Sequence, residues 1–243
     1  MGKLKGSTRI FVGAVATGSC LIVANAIRSQ QPIHYSHFLV IFALSLIASR
    51  LKVKLPALNG NMSVNLPFIL IAAVQLSLFE TLVIALASTA AQCLPQDGGK
   101  PKAVQMFFNV STMAIAVGTG HWILQHAFVR RIPWTSTSLL LSLAAAGFFL
   151  IQTIPVAAII SLTEGGNAVR IWSSIFHLSF PYYVLSAGVT SVVTAASHQI
   201  GWQIPLLVLP AMYGVYRSYR LYFGQAAKAS CTVLLAKAAG TTR

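Results

Sequence analysis

The sequence predicts an all-α polytopic membrane helix bundle, and three observations carry that prediction. Of 243 residues, 56% are apolar and only 8% charged, whereas a soluble domain carries about 25% charged residues. Three of them in all are Asp or Glu, too few to cover the surface of a water-soluble body of this length. Apolar runs long enough to cross a bilayer recur along the chain, separated by short polar or cationic links. A mean hydropathy of +0.74 agrees. Together these exclude an ordinary soluble enzyme.

The first run, Ile10 to Ile27, follows Lys3, Lys5 and Arg9, and its Ala24-Asn25-Ala26 resembles a signal-peptidase site. Eighteen residues are long for a signal-peptide core and more spans follow, so the reading is a retained first span. A polar link, Arg28 to Pro32, leads to a second run, Ile33 to Ser49, closed by Arg50, Lys52 and Lys54. Residues 55–66 hold Pro56, Gly60 and three Asn, which predicts a loop or short extended turn at the membrane surface. The 28 residues from Pro67 to Leu94 are apolar apart from Gln75, Glu80, Gln92 and small hydroxyl side chains. That is too long for one upright span of about 20 residues and too short for two. Within it Ser77-Leu78-Phe79-Glu80 has capping-box spacing, which starts a helix at residue 77 and divides the run into half-helices of about ten and about seventeen residues. Four further spans follow: Val104–Val129, Ser138–Leu162, Trp172–Ser197 and Trp202–Phe223. Pro155, Pro181, Pro205 and Pro210 lie in or at the start of the last three and favour bends there. The expected division is a single transmembrane domain over residues 1–223 and a solvated cytoplasmic tail over 224–243.

Charge decides how the 67–94 run sits. With the N-terminus inside and a single crossing there, the 17 cations divide almost evenly between the two sides. If the run instead dips in and returns, 14 cations fall inside, and only Arg28, Arg130 and Arg131 fall outside. The positive-inside rule selects this second layout: six full spans plus one re-entrant pair of short helices, both termini cytoplasmic. Broken helices at membrane depth are tolerated where protein buries them or where they line a cavity, so the break is the best pointer to a site.

Glu80 is the one carboxylate inside an apolar run, and an ionisable group at that depth is a functional candidate by default. It carries two readings, a ligand or proton role and a purely structural cap on the second half-helix. Gln75 and Asn109 are the candidate neighbours of a ligand site built around it. Asp97 and Glu164 fall in inner loops, so paired-carboxylate chemistry has no second partner. The phosphate-binding, dinucleotide-binding, zinc-protease and nucleophile-elbow motifs are missing, which points to a protein that is not an enzyme. His34 and His37 lack a third ligand, Cys20, Cys93 and Cys231 are widely separated, and no metal or cofactor is called for. His121, Gln125, His126 and His177 read as interhelical hydrogen-bonding groups, with axial ligation of a pigment or haem as the alternative. Asn109, Ser111 and Thr112 read as interhelical glue, and Gly118 and Gly120 allow close backbone approach. The cations sit at span ends and not on one solvated face, so nucleic acid is not a partner. Tyr216, Arg217 and Arg220, at the inner end of the last span, are the candidate output or interface residues, or else simple headgroup anchors.

The order of features resembles a known family. A basic stop precedes Leu55-Pro56 and Gly60, Leu66-Pro67-Phe68 opens the broken run, Phe108-Asn109 follows, and the final helix reads Pro210, Tyr213, Tyr216-Arg217-Ser218-Tyr219-Arg220-Leu221. This resembles the multi-span N-terminal membrane sensor regions of bacterial cyclic-dinucleotide signalling proteins, those preceding diguanylate cyclase or HD-type phosphodiesterase domains. The resemblance covers about residues 30–223 and implies a sensory module of the bacterial inner membrane. Where such regions continue into an output domain, only the 20 tail residues follow here, so output requires a cytoplasmic or membrane partner protein. The 67–94 run is also similar to the corresponding part of substrate-binding subunits of energy-coupling-factor vitamin transporters. The expected function is therefore a non-enzymatic sensory or small-ligand-binding module. The alternatives are a transporter substrate-binding subunit and an accessory subunit of a pigment or redox complex.

Overall fold

The structure, a computed structural model, describes residues 6–29, 32–33, 35–54, 61–95, 103–130, 137–200, 203 and 205–240. In chain order the elements are α1 (Gly6–Arg28), α2 (Tyr35–Arg50), β1 (Lys52–Lys54), β2 (Asn61–Ser63), α3 (Leu66–Gln75) and α4 (Leu78–Cys93). They continue with α5 (Ala103–Arg130), α6 (Thr137–Glu164), α7 (Ala168–Ile200) and α8 (Pro205–Gly240). The fold is a helical membrane protein: α1, α5, α6 and α7 are each long and apolar enough to cross a bilayer. At 16 residues α2 is shorter, about 24 Å against a hydrocarbon core of about 30 Å.

The ten-residue helix α3 is the axis of the bundle. It is apolar on every side, and a helix of that kind finds no water-facing surface and must be enclosed. Here α2, α4, α5, α7 and α8 all pack on it, and Phe68, Ile69, Leu70 and Ile71 have no exposed surface. Small residues set how closely the outer helices approach. A side chain at Gly118 would meet Ile22 of α1 at 2.8 Å, and one at Gly120 would meet the Phe148 ring of α6 at 2.3 Å. Both glycines thus do what their sequence positions suggest. Between α6 and α7 the Phe149 ring meets Phe176, Phe180 and Tyr183 edge-on at 5.5, 5.6 and 5.1 Å, a favoured aromatic geometry. Trp172 Nε1 also donates to Thr153 Oγ1 at 3.0 Å. Gly165 and Gly166 make the α6–α7 turn at φ of 80° and 106°, left-handed values that glycine adopts without strain.

One expectation needs correction and another gains a detail. The stretch 55–66 is not simply a loop, because β2 pairs antiparallel with β1 in the register Lys52↔Ser63, Val53↔Met62, Lys54↔Asn61. The all-α bundle therefore carries a small β-ribbon, with Val53 buried beneath it. Pairing satisfies backbone groups that would otherwise meet lipid or protein unpartnered. Residues 224–240, read as a tail, continue α8 as helix. Their alanine-rich composition has high helix propensity, which explains the extension without requiring a packed face. The expected turn residues Leu55, Pro56 and Gly60, and Lys100, Lys102, Arg131, Asp97 and His34, lie outside the described residues.

Candidate functional site: a broken helix and an adjoining groove

The break between α3 and α4 forms where the sequence places a helix start. Ser77 is the N-cap of α4, its extended backbone (φ −65°, ψ 161°) turning the chain out of α3. Its hydroxyl accepts from the Glu80 backbone N–H at 3.3 Å. The Glu80 carboxylate accepts in turn from the Ser77 backbone N–H at 3.0 Å and from its hydroxyl at 2.7 Å. This reciprocal capping box satisfies donors that lipid and apolar side chains cannot. Glu80 is 2% exposed, so its deep placement has a structural cause.

The start of α3 is closed by a partner from a distant helix. At the N-terminus the Tyr182 hydroxyl of α7 accepts from Leu66 N at 3.1 Å, Pro67 has no N–H to satisfy, and Phe68 and Ile69 donate to the Asn65 carbonyl. The Asn65 side chain leaves the cap. It accepts from Ser63 Oγ at 2.8 Å and donates to Ser88 Oγ of α4 at 3.2 Å. At the other end Leu76 N closes the last turn on the Ala72 carbonyl at 2.8 Å. The Asn65–Ser88 bond also shows how the half-helices lie: the start of α3 sits beside the far half of α4. Lys52 Nζ of β1 donates to the Leu94 carbonyl just past α4, so both ends of the 66–94 segment return to the β-ribbon.

The three candidate ligand residues are not brought together. Glu80 is held in the capping box. Gln75 donates across to Ser197 Oγ of α7 at 3.3 Å. Asn109 donates to Cys93 Sγ at 3.6 Å, and Cys93 stands thirteen residues along α4 from Glu80, about 20 Å at helical rise. Asn109 is therefore glue between α4 and α5. A groove of about 550 Å³ lies between α1 and α5 and reaches the break. Ile22 and Asn25 form its α1 wall, while Gly118, Thr119, His121, Trp122 and Gln125 form its α5 wall. Leu78, the first residue of α4, closes it against the break. Its volume falls within the usual range for small-molecule sites, as does its mix of apolar walls with a few polar groups. His121 Nδ1 is itself fully covered by protein and has no hydrogen-bond partner.

The sequence suggested His121 and Gln125 as interhelical bonders, with pigment or haem ligation as the alternative, and offered Asn25, Thr119 and Tyr182 no site role. Nothing in their local spacing marks them, since each acquires its role from a helix elsewhere in the chain. Along α8 the Arg220 guanidinium reaches the Tyr216 hydroxyl at 3.5 Å, the expected one-turn pairing, and Arg217 is exposed. Among the described residues no group of three or more His, Cys, Asp or Glu is placed to hold a metal. No protein-family profile matches the chain, and no curated protein or solved structure is significantly similar to it.

Proposed function

We propose that this protein is a non-enzymatic small-ligand-binding module of a bacterial inner membrane, one that signals through a partner protein. In this reading α3 and α4 form a re-entrant hairpin, six helices cross, and both termini are cytoplasmic. The return of Leu94 to Lys52 beside β1 supports the hairpin, as does the 14 to 3 partition of cations that it produces. The observation that carries the function is the double position of Leu78, which both opens α4 at the break and lines the groove. A ligand there touches the least continuous part of the bundle, while Ser77, Glu80 and Gln75 hold that part in one arrangement. Val208 and Met212 of α8 are buried in the same core as α3, so a shift of the half-helix bears directly on the helix that carries Tyr216, Arg217 and Arg220. Coupling requires the ligand to favour one arrangement of the break over another, not merely to occupy the groove.

Topology is tested with single cysteines at positions 28, 52 and 95 in a background without Cys20, Cys93 and Cys231. Positions 52 and 95 are expected to label from the same side and 28 from the opposite one. Labelling of 52 and 95 from opposite sides sinks the hairpin. Output is tested by photocrosslinking from position 220 in native membranes, with recovery of a cytoplasmic partner expected. Recovery of an ATPase with a bound small molecule selects the transporter subunit instead, and recovery of lipid alone removes the output role.

A further inference from the structure

We infer that the outer face of α7 around His177 is an axial-ligand site for a metallotetrapyrrole that carries carboxylate side chains. The site is separate from the groove between α1 and α5. His177 Nδ1 lies 2.7 Å from the Ser173 carbonyl, one turn earlier on α7. A carbonyl only accepts, so Nδ1 carries the proton, and in the neutral ring Nε2 holds the free lone pair. The sequence suggested an interhelical bond for this residue; its bond is instead within α7, and the ring is exposed. With Nδ1 turned to the backbone, Nε2 lies on the outward side. Metal-binding imidazoles are commonly held in this way, the second nitrogen donating to a carbonyl that fixes the ring and raises its basicity.

Ligand number, shape and charge decide which metal centre fits. A single imidazole does not hold a bare ion, and among the described residues no group of three or more His, Cys, Asp or Glu is placed to do so. A metallotetrapyrrole brings its own ring of nitrogens and asks the protein only for an axial ligand. The exposed residues Arg170, Ser174, His177, Pro181 and Val184 follow one another at intervals of three or four, which makes them one stripe along α7. A macrocycle perpendicular to the bond from Nε2 lies flat along that stripe. Towards the end of α7, Val184 is 55% exposed, and Phe180 is 38% exposed and stacked on Phe176 at 4.7 Å, an apolar and aromatic floor for one edge. In the other direction Arg170 stands seven residues before His177, about 10 Å along the axis. A macrocycle centred on His177 thus has a guanidinium under one edge and hydrocarbon under the other. That is the polarity of a tetrapyrrole whose carboxylates share an edge, and guanidinium is suited to pair with them. The stripe lies in the apolar segment Ala168–Ser197, so its occupant is one that partitions into the bilayer.

The test adds ferric haem, and separately its dimethyl ester, to the purified full chain in detergent micelles and follows the Soret band. The band of nitrogen-ligated iron is expected, saturating at one haem per chain, and is expected to vanish in His177→Leu. His177→Cys, which offers a thiolate at the same place, should restore binding with a different band, a result that loss of fold cannot produce. Arg170→Gln should keep the spectrum and weaken haem binding about tenfold, the worth of one charge-assisted hydrogen bond. The same substitution should leave the ester, which has no charge to pair, unchanged. A Soret band identical to that of haem in empty micelles, or one that survives His177→Leu, overturns the site. Loss of the band in His177→Leu with equal affinities for haem and ester overturns the carboxylate pairing and leaves the axial ligand standing. Photocrosslinking from position 181 in native membranes is the second readout. Capture of another membrane protein there under saturating haem makes the stripe a helix–helix contact and overturns the site.

Discussion

The helices α1 and α3 are both strongly apolar, yet they occupy opposite environments. Along α1, Ile10 and Leu21 are 76% and 68% exposed, while Phe68 to Ala72 of α3 have no exposed surface. Length accounts for the difference. A 23-residue helix such as α1 can satisfy its backbone internally and carry its ends to the interfaces. A ten-residue helix enclosed on every side ends against other protein, which must cover it and supply partners for its termini. Tyr182 is such a partner at the start of α3, and Ser77 and Glu80 cap the start of α4 that follows it. Hydropathy alone therefore does not distinguish a lipid-facing helix from a central one; the demands of the helix ends do.

The largest test of this contrast is truncation on the two helices. Phe68→Ala in α3 should lose about 3–5 kcal/mol, because it removes ring contacts on all sides and leaves a cavity. Thermal or denaturant unfolding in detergent measures this, and a loss under about 1 kcal/mol would mean that α3 is not the enclosed axis. Next comes overpacking: Gly120→Ala places a carbon 2.3 Å from the Phe148 ring and should cost about 1–3 kcal/mol. Gly13→Ala in α1, which meets nothing within 4 Å, should instead stabilise the helix by about 0.5–1 kcal/mol.

Smaller effects probe the termini of α3 and α4. Tyr182→Phe orphans the Leu66 N–H and should cost about 1–3 kcal/mol, while Ser77→Ala should cost about 1 kcal/mol by breaking the capping box. Amide hydrogen exchange read at Leu66 and Glu80 should localise each loss to its own helix end. If Glu80→Gln lowers stability as Ser77→Ala does and leaves ligand response unchanged, Glu80 is a cap and nothing more. The smallest effect belongs to Leu21→Ala in α1, expected within about 0.5 kcal/mol of the unaltered chain because its side chain already faces outward. A loss comparable to that of Phe68→Ala would place α1 in a protein interface.

The features legible in the sequence were those set by neighbours along the chain. Ser77 and Glu80 stand three apart, and a capping box needs no other information, so the start of α4 was readable to within a residue. The long spans were readable because about 20 consecutive apolar residues have few other fates. The grouping of Glu80, Gln75 and Asn109 was not, because closeness in sequence and similar polarity do not fix which face of which helix a side chain occupies. Asn109 turned to Cys93, Gln75 to Ser197, and the groove formed from Asn25 and Thr119 instead.

That the protein belongs in a membrane, that it is strongly basic and that the 67–94 run is broken at Ser77 can be read from the residues in order. Each follows from composition, or from contacts within one turn of helix, where the partner is a fixed few residues away. Helix packing is what makes α3 the enclosed centre, holds its first N–H with a hydroxyl 116 residues later, and walls the space beside the break with α1 and α5. Those outcomes depend on the rotation and depth at which whole helices pack. In an apolar solvent, where hydrophobicity no longer separates inside from outside, packing shape and the unmet polar groups at helix ends set both.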